Sequence, residues 1–197
     1  MLTVIDRKYN LQNLKEIASL LNLQKIEYFI FYGSLLGYVR EKNLLKKDDD
    51  IDILVNIKYR NLILKILKIL DYTISVSKDV FIQGEKKINE SNSSKKIITY
   101  TDFYFYENNT KKNYICDQWN FSGKYKLKSN FLYIPKDMIF PLITGKINHI
   151  RVNIPSNAKL CCIFLYGENY HIPLKKEQEY KMQIINNKPV QKLLKNL

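Results

Sequence analysis

Four aspartates, Asp48, Asp49, Asp50 and Asp52, fall within five consecutive positions directly ahead of the apolar run Ile53 to Val55. Carboxylates this close repel one another, and carrying them into the start of a buried strand requires a counter-charge. Side chains at i and i+2 of a strand share a face, so Asp50 and Asp52 point one way while Ile51 and Ile53 enter the core from the other. Two hard oxygen ligands side by side suit Mg²⁺ or Mn²⁺, which bind through one or two carboxylates together with substrate phosphates.

The residues upstream fit the same chemistry. Ile26 to Tyr32 (IEYFIFY) is rich in aromatic and β-branched residues and reads as a buried strand, ended by Gly33-Ser34. That turn leads into a short helix, Leu35 to Arg40. Glycine there lets a ligand approach the backbone, and the free N–H groups of a helix start attract phosphate. Arg40, Lys42, Lys46 and Lys47 bring positive charge to the region. Together these residues read as a cradle for an anion bridged by metal to Asp50 and Asp52. Asp102 is the one carboxylate of the strand Ile97 to Tyr106 (IITYTDFYFY) and completes the set if that strand lies beside the first. Taken singly, Gly-Ser is a common turn, acidic runs cap loops, and a lone strand aspartate sits at an edge. In this order they are poorly explained as solvated surface, because charged clusters in strands are disfavoured unless paired or metal-bound.

A chain of 197 residues with 46% apolar composition makes one full-sized domain, or two small ones, with a substantial core. Helical spacing predicts helices over 10–23, 58–70 and 156–166, the last capped by Ser156 or Asn157. In the middle helix Leu62, Ile63, Ile66, Leu67, Ile69 and Leu70 are expected inward, and Arg60, Lys65 and Lys68 outward. Further strands are expected at 51–55, 72–76, 80–84, 114–117 and 149–154, with a polar loop at 85–96 and a basic, helix-permissive tail at 175–197. This order predicts a single α+β domain over 1–197 with a mixed sheet and flanking helices.

The 32 basic and 19 acidic residues leave a net charge of +13, which implies an anionic partner: nucleotide, nucleic acid, polyanionic glycan or membrane surface. The basic face of the middle helix offers a peripheral membrane contact, although a solvated lysine face is the ordinary use of such a surface. With no signal peptide core and no membrane-spanning apolar run, a cytoplasmic location is expected. Cys116, Cys161 and Cys162 fit buried free thiols, and His149 and His171 lack the close Cys or His partners of a zinc site.

The run Tyr32-Gly33-Ser34-Leu35-Leu36-Gly37-Tyr38-Val39-Arg40, followed by Asp48-Asp49-Asp50-Ile51-Asp52-Ile53, resembles the signature of the LicD and fukutin-related family of nucleotidyltransferase-fold phosphotransferases. Thr101-Asp102-Phe103 is similar to that family's later Asp-containing strand. Phe140-Pro141-Leu142 and Leu165-Tyr166-Gly167-Glu168-Asn169-Tyr170 with Pro173 are similar to its closing segment, so the resemblance spans roughly residues 26–173. Where that family usually has Pro-Trp before the aspartates, this chain has Lys46-Lys47.

The resemblance implies transfer of a phosphoalcohol, such as phosphocholine or ribitol phosphate, from a CDP-linked donor to a sugar hydroxyl of a glycan, with a divalent metal. Carried over by position, it makes Asp50 and Asp52 metal ligands and Asp102 the third carboxylate, either metal ligand or general base. Gly33, Ser34 and Arg40 would contact donor phosphates, with Lys42 adding charge beside them. Trp119, Tyr100, Tyr104 or Phe121 would stack on cytosine, against a general preference of such rings for the core. A small nucleotidyltransferase moving NMP to a protein, RNA or small molecule shares the Gly-Ser and Asp-x-Asp pattern. A non-catalytic nucleic-acid-binding module would use the charge alone, but the chain has no recognisable RNA- or DNA-binding motif.

Overall fold

The computed structural model describes residues 7–46, 48–89, 96–117 and 132–173. The expected tail at 175–197, Lys47, Trp119 and Phe121 lie outside these residues. Helix α1 (Arg7–Leu23) precedes strand β1 (Tyr28–Ile30), helix α2 (Tyr32–Glu41) and strand β2 (Asp52–Asn56). A 3₁₀ turn then leads into α3 (Arg60–Ile69), β3 (Thr73–Lys78), β4 (Phe81–Asn89) and β5 (Lys96–Glu107). The remaining elements are β6 (Tyr114–Asp117), β7 (Leu132–Pro135), α4 (Lys136–Ile139), β8 (Ile143–Ile147), β9 (Ile150–Ile154), α5 (Ala158–Tyr166) and a closing 3₁₀ turn, Glu168–His171.

Strands β1-β2-β5-β4-β3 form one mixed sheet, extended from β5 through β6 to β7, while β8 and β9 form a separate hairpin. The pair that matters for function is the parallel one. β2 runs beside β5 with Asp52 opposite Asp102, and the ladder continues upstream through Ile51 N–H to Tyr100 O at 3.1 Å and Tyr100 N–H to Asp49 O at 3.2 Å. Ile53, Leu54 and Val55 are fully buried beside Phe103 and Phe105, so the apolar remainder of both strands anchors their acidic ends.

Helix α1 does more than cover the sheet. Its inner face carries Leu14, Ile17 and Leu21, and also two buried amides that periodicity alone does not single out. Asn13 Nδ2 donates to Thr99 Oγ1 at 2.7 Å, and Asn10 Nδ2 donates to the carbonyl of Asp48 at 3.2 Å, pinning the acidic segment from outside.

Several elements differ from the sequence expectation. Residues 85–89 continue β4 in register with β5, Glu85 opposite Tyr100 and Asn89 opposite Lys96, rather than opening a loop. Cross-strand pairing there outweighs the local polarity of the segment. On α3 the buried positions are Ile63, Ile66 and Leu67, whereas Ile69 is 69% exposed. Ile69 lies four residues after Lys65, so it falls on the lysine face. The short elements β7, α4 and β8 lack a long enough period to be read in advance. Asn157 takes the cap of α5, accepting from Leu160 N–H at 3.1 Å. Cys161 and Cys162 are buried and Cys116 half-buried, all as free thiols. Among the described residues no helix is long and apolar enough to cross a membrane.

Candidate active site

Strand β1 passes into α2 without a loop. Phe31 N–H still donates to Asp52 O at 3.1 Å, while Phe31 O already accepts from Leu35 N–H at 3.0 Å. The helix therefore begins at Tyr32, three residues earlier than the expected start at Leu35, and Gly33 and Ser34 lie in its first turn. That turn faces the acidic segment. Ser34 Oγ accepts from Asp52 N–H at 2.9 Å, and Ser34 N–H points at Asp52 Oδ2 at 3.3 Å. A Cβ on Gly33 would stand 2.5 Å from Asp48 Oδ2 and 3.0 Å from Asp52 Oδ2, so only glycine lets both carboxylates close on the helix start. The positive end of the helix dipole favours that arrangement.

Asp48, Asp50 and Asp52 each offer an oxygen within 4.8 Å of the others. Asp48 joins the expected Asp50 and Asp52 in this cluster, while Asp102 approaches from the neighbouring strand opposite Asp52. Asp49 is the exposed member of the run, as alternation requires. Asp102 is 6% exposed and held from two sides. Gln83 Nε2, opposite it on β4, donates to Oδ1 at 3.0 Å, and Tyr104 Oη lies 3.4 Å from Oδ2 and 3.1 Å from Asp52 Oδ1. One phenol thus bridges Asp52 and Asp102. Tyr104, entertained as a ring for stacking on a base, is buried and hydrogen-bonded into the acidic cluster instead.

Burial, reinforced by the charge of Asp50 and the other neighbouring aspartates, holds the carboxyls of Asp48 and Asp52 well above the usual carboxylate range. Burial also raises the phenol of Tyr104, with Asp52 and Asp102 adding to it. Such a set of hard, mutually repelling oxygens fits a divalent cation.

A measurable consequence follows from the sign of these shifts. A carboxyl that holds its proton more tightly when folded favours the native state at low pH, and this contribution fades as pH rises from about 4 through the folded value. The melting temperature of metal-free Asp52→Asn should therefore match wild type near or below about pH 4 and exceed it as the pH is raised to neutrality. Saturating Mn²⁺ should reverse that order. A variant that is less stable than wild type at both ends of the range without metal would contradict the assignment.

The structure places Arg40 and Lys42, expected beside the donor phosphates, away from the Gly33 turn. They lie about 10–14 Å farther along the α2 axis than Gly33, at the end of the helix remote from the carboxylates. Arg40 Nε donates to Tyr170 O at 2.6 Å, and its terminal nitrogen bonds Tyr170 O and, at 3.0 Å, Ile172 O. Its planar fork ties α2 to the closing segment of the chain. Lys42 takes the left-handed position that ends α2, with its ammonium 4.0 Å from the centre of the Tyr38 ring. Arg40→Lys, which cannot span two carbonyls in one plane, should cost about 1–2 kcal/mol in denaturant unfolding while moving the donor KM less than about twofold. A large KM change at unaltered stability would return Arg40 to the donor site.

A helix start closed over three clustered carboxylates, with a fourth on the adjacent parallel strand of a mixed sheet, defines a transferase of the nucleotidyltransferase fold. The family model described as LicD/FKTN/FKRP, nucleotidyltransferase domain, matches residues 25–157, and the chain belongs to that family. The crystal structure of the lincosamide antibiotic adenylyltransferase LnuA, lincomycin-bound, is similar over 91% of this chain and 96% of its own, with 16% identity and a TM-score of 0.52. The crystal structure of ANT(2")-Ia in complex with adenylyl-2"-tobramycin is similar over 95% and 93%, with 15% identity and a TM-score of 0.53. At such identities the likeness is one of fold. No curated protein matches the chain.

Proposed function

We propose that this chain transfers a phosphoalcohol from a CDP-linked donor to a sugar hydroxyl of a glycan, using Mg²⁺ or Mn²⁺. The observation that carries this reading is the LicD/FKTN/FKRP family match, which spans the acidic cluster, the α2 turn and β5. Asp48, Asp50 and Asp52 would hold the metal, which when bound neutralises the donor diphosphate. The first turn of α2, held against those carboxylates at Gly33, would receive the phosphate oxygens beside the metal. The acceptor hydroxyl oxygen forms a bond to the phosphorus bearing the alcohol as the bond from that phosphorus to the CMP oxygen breaks, and CMP leaves with the electron pair. Asp102, oriented by Gln83 and Tyr104, accepts the hydroxyl proton.

The competing reading is transfer of NMP itself, the chemistry named for LnuA as an adenylyltransferase. The products separate the two. Incubation with CDP-choline, CDP-ribitol and the four nucleoside triphosphates, with Mn²⁺ and a panel of glycan and small-molecule acceptors, should release CMP from a CDP-alcohol in step with phosphoalcohol-modified product. Pyrophosphate release from a triphosphate, with nucleotide attached to the acceptor, would replace this reading with nucleotidyl transfer.

A further inference from the structure

The direct passage from β1 into α2 places the whole chain reversal on Tyr32. Its φ is +41°, in the left-handed region that residues bearing a Cβ avoid, although the next position holds a glycine. A bulky aromatic there persists only where its surroundings fix it. Tyr32 is 5% exposed, and its hydroxyl donates to a carboxylate oxygen of Asp117, a residue with no exposed surface. Asp117 ends β6, delivered by the pairing of that strand with β5 at Tyr106. The Tyr32 ring meets Tyr104 edge-on, centroids 5.0 Å apart, and so touches the phenol that bridges Asp52 and Asp102.

We infer that the Tyr32–Asp117 pair is a positioning device for diphosphate binding: it locks the left-handed reversal that aims the Gly33–Ser34 turn at the phosphate groups of the donor. Without the anchor, Tyr32 relaxes towards negative φ, and the peptide planes of the following two residues rotate with it. Tyr32 and Asp117 act through that turn and do not touch the substrate. The inference rests on the proposed function for the place where phosphate binds, though not for the identity of the transferred group.

Inorganic pyrophosphate with Mn²⁺ is therefore the probe, measured by calorimetry on the full chain, with Mn²⁺ alone as the parallel titration. Tyr32→Phe and Asp117→Ala should weaken pyrophosphate binding about tenfold, the loss of one buried hydrogen bond. Asp117→Asn keeps an accepting oxygen and should lose less than about threefold. Mn²⁺ affinity should fall less than pyrophosphate affinity in all three, because the three carboxylates themselves are kept and only the contacts of Ser34 to Asp52 are disturbed. If Asp117→Ala fails to fold, Tyr32→Phe and Asp117→Asn decide. Wild-type pyrophosphate affinity in Tyr32→Phe, with only a lowered melting temperature, would reduce the pair to a packing role and overturn the inference, as would a wild type that binds no pyrophosphate. Pyrophosphate binding with this variant pattern but no CMP release from any CDP-alcohol would sink the phosphoalcohol reading and leave the positioning role standing.

Discussion

Asp50→Asn and Asp52→Asn should each lose about 10³-fold or more in turnover while remaining folded, and Asp48→Asn should join them. The three carboxylates offer oxygens within 4.8 Å of one another, and each amide replacement removes one anionic oxygen pair while nearly preserving shape. In most enzymes a buried polar substitution lowers stability. Here burial and the charge of Asp50 already disfavour an ionised Asp52, so the amide relieves repulsion in the metal-free protein. Inactive variants that melt at or above the wild-type temperature without metal, and that lose the wild-type rise on adding Mn²⁺, would carry the signature of a metal site. A variant of Asp50 or Asp52 with near-wild-type turnover would remove that residue from the metal set.

The acidic run was legible because its cost is local: four carboxylates in five positions need an explanation wherever the chain goes. Asp102 was legible because an aspartate inside IITYTDFYFY has no loop to occupy, and the parallel pairing of β2 with β5 brings it level with Asp52. Residues that support the site from a distance carry no such local signal. Asn10 reads as a polar start to a helix, and only the packing of α1 turns its amide onto the Asp48 carbonyl. Gln83 is one polar residue in an alternating strand until its register with Asp102 is known. Asp117 and Tyr32 are 85 residues apart, and nothing in either segment announces the other. Arg40 is the opposite case, with its contacts going to the Tyr170 and Ile172 carbonyls. Nearness in sequence to Gly33 suggested a shared ligand, but a helix of ten residues separates its two ends by about 15 Å.

Asp102 poses the sharper mechanistic choice, between a fourth ligand and the acceptor of the hydroxyl proton. Its carboxylate is engaged on both oxygens, by Gln83 Nε2 at 3.0 Å and by Tyr104 Oη at 3.4 Å, while three other aspartates already converge without it. The Tyr104 contact is the longer and falls at the edge of hydrogen-bonding distance, so of these two contacts it is the one more readily exchanged for a proton of the acceptor. Asp102→Asn should therefore retain Mn²⁺ affinity within about threefold while kcat falls about 10²–10⁴-fold, the range that a positioned general base contributes. Gln83→Met, which keeps the side-chain length and removes the amide, should lower kcat by less, about tenfold, through loss of orientation alone. Calorimetric titration with Mn²⁺ and steady-state rates at saturating donor separate the two roles. Loss of Mn²⁺ binding in Asp102→Asn, in step with its rate, would make Asp102 a ligand and leave the proton to another acceptor.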